Sequence, residues 1–259
     1  MPQGVIQDFT KGKLFWPMLK FSIPFMLSNA FQVFYSMADM LVVGRFVGRQ
    51  GIAAVMSGGF LVMFVMMFGM GLATGGQVLV SQLVGKKEYS KLSSAIGTLM
   101  SMNVVSALVM SLISVVLALP ILRLLNTQEE AFQPTLEYLS ICGGGIIFIY
   151  IYNVISAVLR GVGDSVRPFI FIVVSAVLNV ILDLLMVAVF RWGVAGAAAA
   201  TVISQAAAMF MAIYYMYIKR KEFSLEFSWR TLICKWDILW VLLKLGIPFR
   251  CVLPPLIYL

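Results

Sequence analysis

One carboxylate, Asp183, lies inside the mostly aliphatic stretch of residues 168–190, which carries no other charge. A helix of about 20 apolar residues crosses the hydrocarbon core of a bilayer, and an acid held at that depth is functional by default. Asn179 precedes Asp183 by one helical turn and Ser175 precedes Asn179 by another, so the three side chains share one helix face. We expect this polar stripe to face other helices or a water-filled cavity, where it could bind a proton or a small cation.

A second acid, Asp39, interrupts the first apolar run, which lies between Lys20 and Arg45. It could join the same site from another helix. Because it lies toward the end of its run, it could instead sit at the membrane surface.

Composition indicates an integral membrane protein. The 259 residues are 61% hydrophobic and 12% charged, whereas soluble domains carry about 25% charged residues. The net charge of +8 does not indicate nucleic acid binding, because the Lys and Arg residues lie in short loops between apolar runs.

Several kinds of chemistry are excluded by residue type. The chain has no histidine, which removes the usual zinc, haem and Ser-His-Asp sites. Cys142, Cys234 and Cys251 form no CxxC pair and are predicted to be inert thiols. We therefore predict a protein that is not an enzyme and that holds no cofactor or metal cluster.

Basic or turn-forming segments separate six apolar stretches that are long enough to span a bilayer. These stretches cover residues 20–45, 52–85, 92–122, 138–159, 168–190 and 194–218, and residues 123–137 are predicted to form a loop. The predicted domains are a tail (1–13), a six-helix transmembrane lobe (14–218), a connector (219–237) and a truncated start of a second lobe (238–259).

The distribution of Lys and Arg predicts the orientation. With a cytoplasmic N-terminus, the basic residues in outer turns are Arg45, Arg49, Arg123 and Arg191, Arg250 is unassigned, and all the others fall inside. This distribution satisfies the positive-inside rule. It predicts a multi-pass protein of the inner (plasma) membrane, with a cytoplasmic tail and a cytoplasmic connector.

An internal repeat predicts a second lobe. The sequence LKFSIPF at residues 19–25 returns as LKLGIPF at residues 243–249. Six spans lie between the two copies, so a second repeat would enter the membrane in the same orientation as the first. The fold class is thus predicted to be all-α. The six-helix lobe would be one of two parallel repeats, and a truncated seventh helix would follow it. The final prolines and Arg250 favour a truncated or frame-shifted product.

An ordered set of motifs resembles the multidrug and toxic compound extrusion (MATE) transporters over nearly all of residues 15–218. The motifs are SMAD at 36–39, VGR at 43–45, SQLVG at 81–85, LRGVGD at 159–164, LN at 178–179 and GVAGAA at 193–198. The resemblance implies a cation-coupled antiporter of two six-helix lobes, which exports drugs or other organic, often cationic, compounds from a cavity between the lobes.

The resemblance also implies a site. Asp39, Asn179 and Asp183 match the family's acidic coupling site, which Thr201 and Tyr138 could complete. Asp183 could bind and release a proton, or the oxygens of Asp39, Asp183, Asn179 and Thr201 could coordinate Na⁺. Thr201 could also bond only its own helix backbone. The sequence leaves the choice of ion open.

Expected partners are small organic substrates and membrane lipid, with no nucleic acid. The cavity would be completed by a missing second lobe or by a homodimer. Two alternatives are a transport-incompetent fragment and a lipid-linked glycan flippase. A flippase would be expected to line its cavity with cations, whereas the charges predicted to be buried here are acids.

Overall fold

The computed structural model describes residues 15–220 together with residues 240 and 242. The predicted N-terminal tail, nearly all of the connector and nearly all of the seventh helix lie outside the described residues. The domain boundaries therefore stay predictions.

Six long helices follow one another along the described part of the chain, and no strand occurs there. They are α1 (Phe15–Phe46), α2 (Arg49–Gly85), α3 (Tyr89–Leu124), α4 (Glu129–Gly161), α5 (Val166–Asp183, continued by a π-helical segment, Leu184–Val189) and α6 (Gly193–Ile218). All six are long and apolar enough to cross a membrane. The prediction of an all-α, six-helix transmembrane lobe is confirmed.

The predicted loop at residues 123–137 is wrong over most of its length, because α4 begins at Glu129. Glu129 and Glu130 occupy the first turn of α4, where carboxylates favour the positive end of the helix dipole. Pro134 lies inside the helix, where the missing N–H of one proline removes a single backbone hydrogen bond. Acidic residues near a proline are typical of a loop, but here they begin a helix.

α4 is the central helix of the lobe and packs against α2, α3 and α6. Its apolar segment is 67% buried, whereas the apolar segments of α1 and α3 are each only 11% buried. α1 lies at the edge of the lobe, where it packs mainly on α5. The helix that carries Asp39 therefore has few neighbours within the described lobe.

Glycines of α2 allow tyrosine rings of α4 to approach its backbone. A Cβ atom on Gly58 would lie 2.6 Å from Cδ1 of Tyr138, and one on Gly69 would lie 2.5 Å from Cζ of Tyr150. Neither ring could keep its position beside a larger residue. The Tyr150 hydroxyl also donates a hydrogen bond to the Val65 carbonyl at 2.8 Å. This packing fixes the distance between α2 and α4.

Candidate functional site

The polar stripe on α5 lies inside the lobe. Ser175, Asn179 and Asp183 are 3%, 1% and 0% exposed. The Ser175 hydroxyl donates a hydrogen bond to the backbone carbonyl of Ser204 on α6 at 2.8 Å. This contact turns the stripe toward α6 and away from lipid.

The carboxyl group of Asp183 is buried without a hydrogen-bond donor. Neither of its oxygens has a partner within the described part of the chain, and the same is true of Asn179 Oδ1 and Asp39 Oδ1. A buried carboxylate without a partner is costly, so such a group is normally neutralised by a proton or a cation. The helix also changes from α to π geometry directly after Asp183, a change that is frequent at functional sites.

Asp39 lies beside this group, on α1. Its side chain is 5% exposed, so the structure does not place it at the surface of the lobe. Asp39 and Asp183 are close enough to interact electrostatically. Two helices that are far apart in sequence thus hold two buried acids within electrostatic range of each other.

Thr201 reaches the site from α6. The side-chain amide of Asn179 donates a hydrogen bond to Thr201 Oγ1 at 3.5 Å, which is a long contact. The Thr201 hydroxyl therefore faces the α5 stripe. The role of Thr201 in the site stays a prediction.

Tyr138 lies on the Asp39 side of the group. It is 6% exposed and packs on Gly58. Its hydroxyl and the thiol of Cys142, one turn later, both lie within electrostatic range of Asp39. Cys142, predicted from the sequence to be an inert thiol, is buried and reduced.

Sequence reasoning missed two polar residues of this region. The Gln205 side-chain amide on α6 donates a hydrogen bond to the hydroxyl of Tyr35 on α1 at 3.3 Å. Tyr35 lies one turn before Asp39, and Gln205 lies one turn after Thr201. Helical spacing from the predicted site residues was the signal that could have found both.

An apolar crevice of about 340 Å³ runs between α1 and α5, and neither acid is among its lining residues. Aromatic residues of α1 form one wall and small or branched residues of α5 form the other. Its lining residues are Phe31, Phe34, Tyr35, Ala38, Ala176, Val177, Val180 and Ile181.

The donor set suits a small hard cation rather than a transition metal. It consists of carboxylate, amide and hydroxyl oxygens, whereas soft or borderline metals prefer thiolate and imidazole. The described residues contain no group of three or more His, Cys, Asp or Glu residues that could hold a metal ion.

Comparison with known proteins shows the family of the chain. The family model MatE matches residues 24–185, which is more than half of the chain. The chain belongs to the MatE family. It is a multi-pass membrane protein of that family, and the resemblance drawn from the motifs is confirmed.

Two relatives show how much of a family member the chain represents. It is 35% identical to the probable multidrug resistance protein YpnP of Bacillus subtilis, over 93% of this chain and 53% of that protein. It is 29% identical to the multidrug export protein MepA of Staphylococcus aureus, over 80% of this chain and 46% of that protein. The chain spans about half the length of the curated relatives it matches.

Solved structures share the fold. An outward-facing multidrug resistance MATE family transporter of the MOP superfamily superposes with a TM-score of 0.84 at 24% identity, over 90% of this chain and 51% of that one. An inward-facing form of such a transporter superposes with a TM-score of 0.76. The six helices thus correspond to about half of a MATE transporter.

Proposed function

We propose that this chain forms the N-terminal lobe of a cation-coupled antiporter that exports drugs or other organic, often cationic, compounds in exchange for H⁺ or Na⁺. The observation that carries the proposal is the pair of buried acids, Asp39 and Asp183, which have carboxyl oxygens without donors. The names of the MatE relatives, which refer to multidrug resistance and multidrug export, support the substrate class.

The pair of acids would act as a cation switch. No Lys or Arg belongs to the buried polar residues of the described chain, where Asp39 and Asp183 are the charged members. A proton or Na⁺ would neutralise the pair, and its release would leave like charges facing each other across α1 and α5. The free energy of that difference is what a transporter can use to favour one conformation over another.

The position of α1 at the edge of the lobe would allow this helix to move when the charge of the site changes. Because only 11% of its apolar segment is buried and α5 is its main neighbour, a change of charge at Asp39 acts on a weakly held helix. An occupied site would hold α1 against α5, and an empty site would loosen it. Access to the apolar crevice between these helices would change with it.

The remaining site residues have distinct proposed roles. Asn179 and Thr201 would supply an amide oxygen and a hydroxyl oxygen to a bound Na⁺, or would hydrogen-bond the protonated carboxyl of Asp183. Tyr138 would offer its hydroxyl near Asp39. H⁺ and Na⁺ would use the same oxygens, so the proposal includes both as alternative coupling ions.

The partner of the lobe is proposed to be a second lobe, supplied either by another polypeptide segment or by a second copy of this chain. Membrane lipid surrounds the assembly, and the inner (plasma) membrane with a cytoplasmic N-terminus is the proposed location. A cation-lined flippase cavity is not favoured by any described residue.

Ethidium efflux tests this proposal. The chain and its Asp183→Asn variant are each expressed together with the C-terminal lobe of a MatE relative in a drug-sensitive bacterial strain, and the decay of intracellular ethidium fluorescence is followed. Glu130→Gln provides the matched control, since Glu130 is an exposed acid that contacts Gln50 at the lobe surface. We expect efflux from the parent and the Glu130→Gln variant, and none from Asp183→Asn.

Two results would overturn the proposal. Efflux by Asp183→Asn at the parental rate would remove Asp183 from coupling. No efflux from any variant, with all of them present in the membrane and the chain paired with the C-terminal lobe of a MatE relative, would remove the transport function itself.

A further inference from the structure

A hydrogen bond joins α1 to α6 next to the two acids. Gln205 is 4% exposed and donates its side-chain N–H to the Tyr35 hydroxyl at 3.3 Å, across 170 residues of sequence. A buried amide is retained at little cost only where it finds such a partner. The bond therefore restrains the position of α1 relative to α6.

The register of the bond relates it to the acidic pair. Tyr35 and Asp39 are four residues apart on α1, and Gln205 and Thr201 are four residues apart on α6. Residues with this spacing share a helix face. Any rotation of α1 that breaks the bond therefore also turns Asp39 away from the site.

The other described contacts of α1 include aromatic ones. One example is the edge-to-face contact between Phe31 and Phe169, with ring centroids 5.8 Å apart. Apolar burial is not directional, whereas a hydrogen bond weakens steeply when its angle changes. The Gln205–Tyr35 bond supplies a directional restraint.

We propose that Gln205 is a positioning residue for the coupling site, which acts through Tyr35 to hold α1 in the rotation that brings Asp39 to Asp183. Gln205 itself does not bind the coupling ion in this account. The inference rests on the proposed role of Asp39 and Asp183 as the cation site.

Several titratable groups surround Asp39, and each belongs in the interpretation of a pH profile. Tyr35 lies on α1, Tyr138 and Cys142 on α4, and Asp183 on α5. The measurement must therefore report on individual carboxyl groups rather than on the protein as a whole.

Carbodiimide labelling provides that measurement. Dicyclohexylcarbodiimide is an apolar reagent that modifies protonated carboxyl groups in apolar surroundings, and mass spectrometry assigns the modified residue. The purified 259-residue chain is labelled across a pH series, with and without NaCl, and the rate constants at Asp39 and Asp183 are measured. The variants are Gln205→Leu, Tyr35→Phe and the double variant.

Tyr150→Phe is the matched control. It also removes one tyrosine hydroxyl that hydrogen-bonds between helices, at Val65 in a different part of the lobe. We expect Gln205→Leu and Tyr35→Phe each to change the labelling rate constants at Asp39 and Asp183 by about fivefold. A change of this size corresponds to the net free energy of about one hydrogen bond. The double variant should change it no further, because the two residues act as one unit, and Tyr150→Phe should keep the parental profile.

Three results would contradict the inference. They are unchanged profiles in both single variants, effects that add in the double variant, and an equal change in Tyr150→Phe, which would indicate general loosening. If Gln205→Leu does not fold, Tyr35→Phe decides alone, since it keeps the ring. If the labelling of Asp39 and Asp183 in the parent depended on neither pH nor Na⁺, the result would instead contradict the proposed function.

Discussion

At the scale of single residues, the site depends on which polar atoms lack partners. Asp183, with 0% exposure, and Asn179, with 1%, have oxygens that no described group satisfies. The helical spacing of these two residues predicted that they share a face. Tyr35 on α1 and Gln205 on α6 lie one turn from predicted site residues, so helical spacing could have pointed to both. The hydrogen bond between them could not be predicted, because it depends on how distant helices pack.

The buried amide of Asn179 provides a test at this scale. Asn179→Leu keeps the number and branching of the side-chain heavy atoms but removes the oxygen beside Asp183 and the donor to Thr201. We expect the initial rate of ethidium efflux to fall about tenfold, for a loss of about 1.5 kcal/mol.

Asn103→Leu is its control, since Asn103 is an equally buried amide on α3 that bonds only its own helix at the Leu99 carbonyl. Equal losses of efflux in the two variants, at equal amounts of protein in the membrane, would mean that Asn179 is needed for packing rather than for coupling.

At the scale of helices, the apolar runs between charged turns predicted all six elements. The main error was the start of α4, where Glu129 and Glu130 were interpreted as part of a loop although they begin the helix. The central place of α4 could not be predicted, because its hydropathy lies within the range of the other five runs and only packing distinguishes it. Its contact with α2 depends on Gly58, which lies against Tyr138.

Gly58→Ala tests that contact. Its new methyl group would lie 2.6 Å from the Tyr138 ring, so the ring or the helix must shift, at a cost of about 1–3 kcal/mol in the free energy of unfolding. We expect a lower melting temperature for the purified chain. Gly59→Ala is the neighbouring control, because nothing lies within 4 Å of its added Cβ, and it should melt like the parent. Equal melting of the two variants would show that α2 and α4 are not closely packed there.

At the scale of the whole molecule, the lobe is about half of a MATE transporter, and its orientation in the membrane stays a prediction. The Lys and Arg distribution predicts that the α2–α3 turn is cytoplasmic and the α3–α4 turn is external. Lys86 and Gln128 are exposed residues of these two turns.

Cysteine accessibility tests this orientation. In a background with Cys142, Cys234 and Cys251 replaced by Ala, intact cells are treated with a membrane-impermeant maleimide. We expect labelling of Gln128→Cys and none of Lys86→Cys until the membrane is permeabilised. The reverse labelling pattern would show that the lobe has the opposite orientation in the membrane.

The most direct test of the central claim is carbodiimide labelling of Asp183 in the unaltered, purified chain. We expect Asp183 to be modified, and its modification to depend on pH alone if H⁺ is the coupling ion, or to be prevented by NaCl but not by choline chloride if Na⁺ is. Glu130 serves as the internal reference within each sample, because it is an exposed carboxyl group outside apolar surroundings. Labelling of Asp183 that stays constant across pH and NaCl concentration would contradict the claim that this buried acid binds the coupling ion.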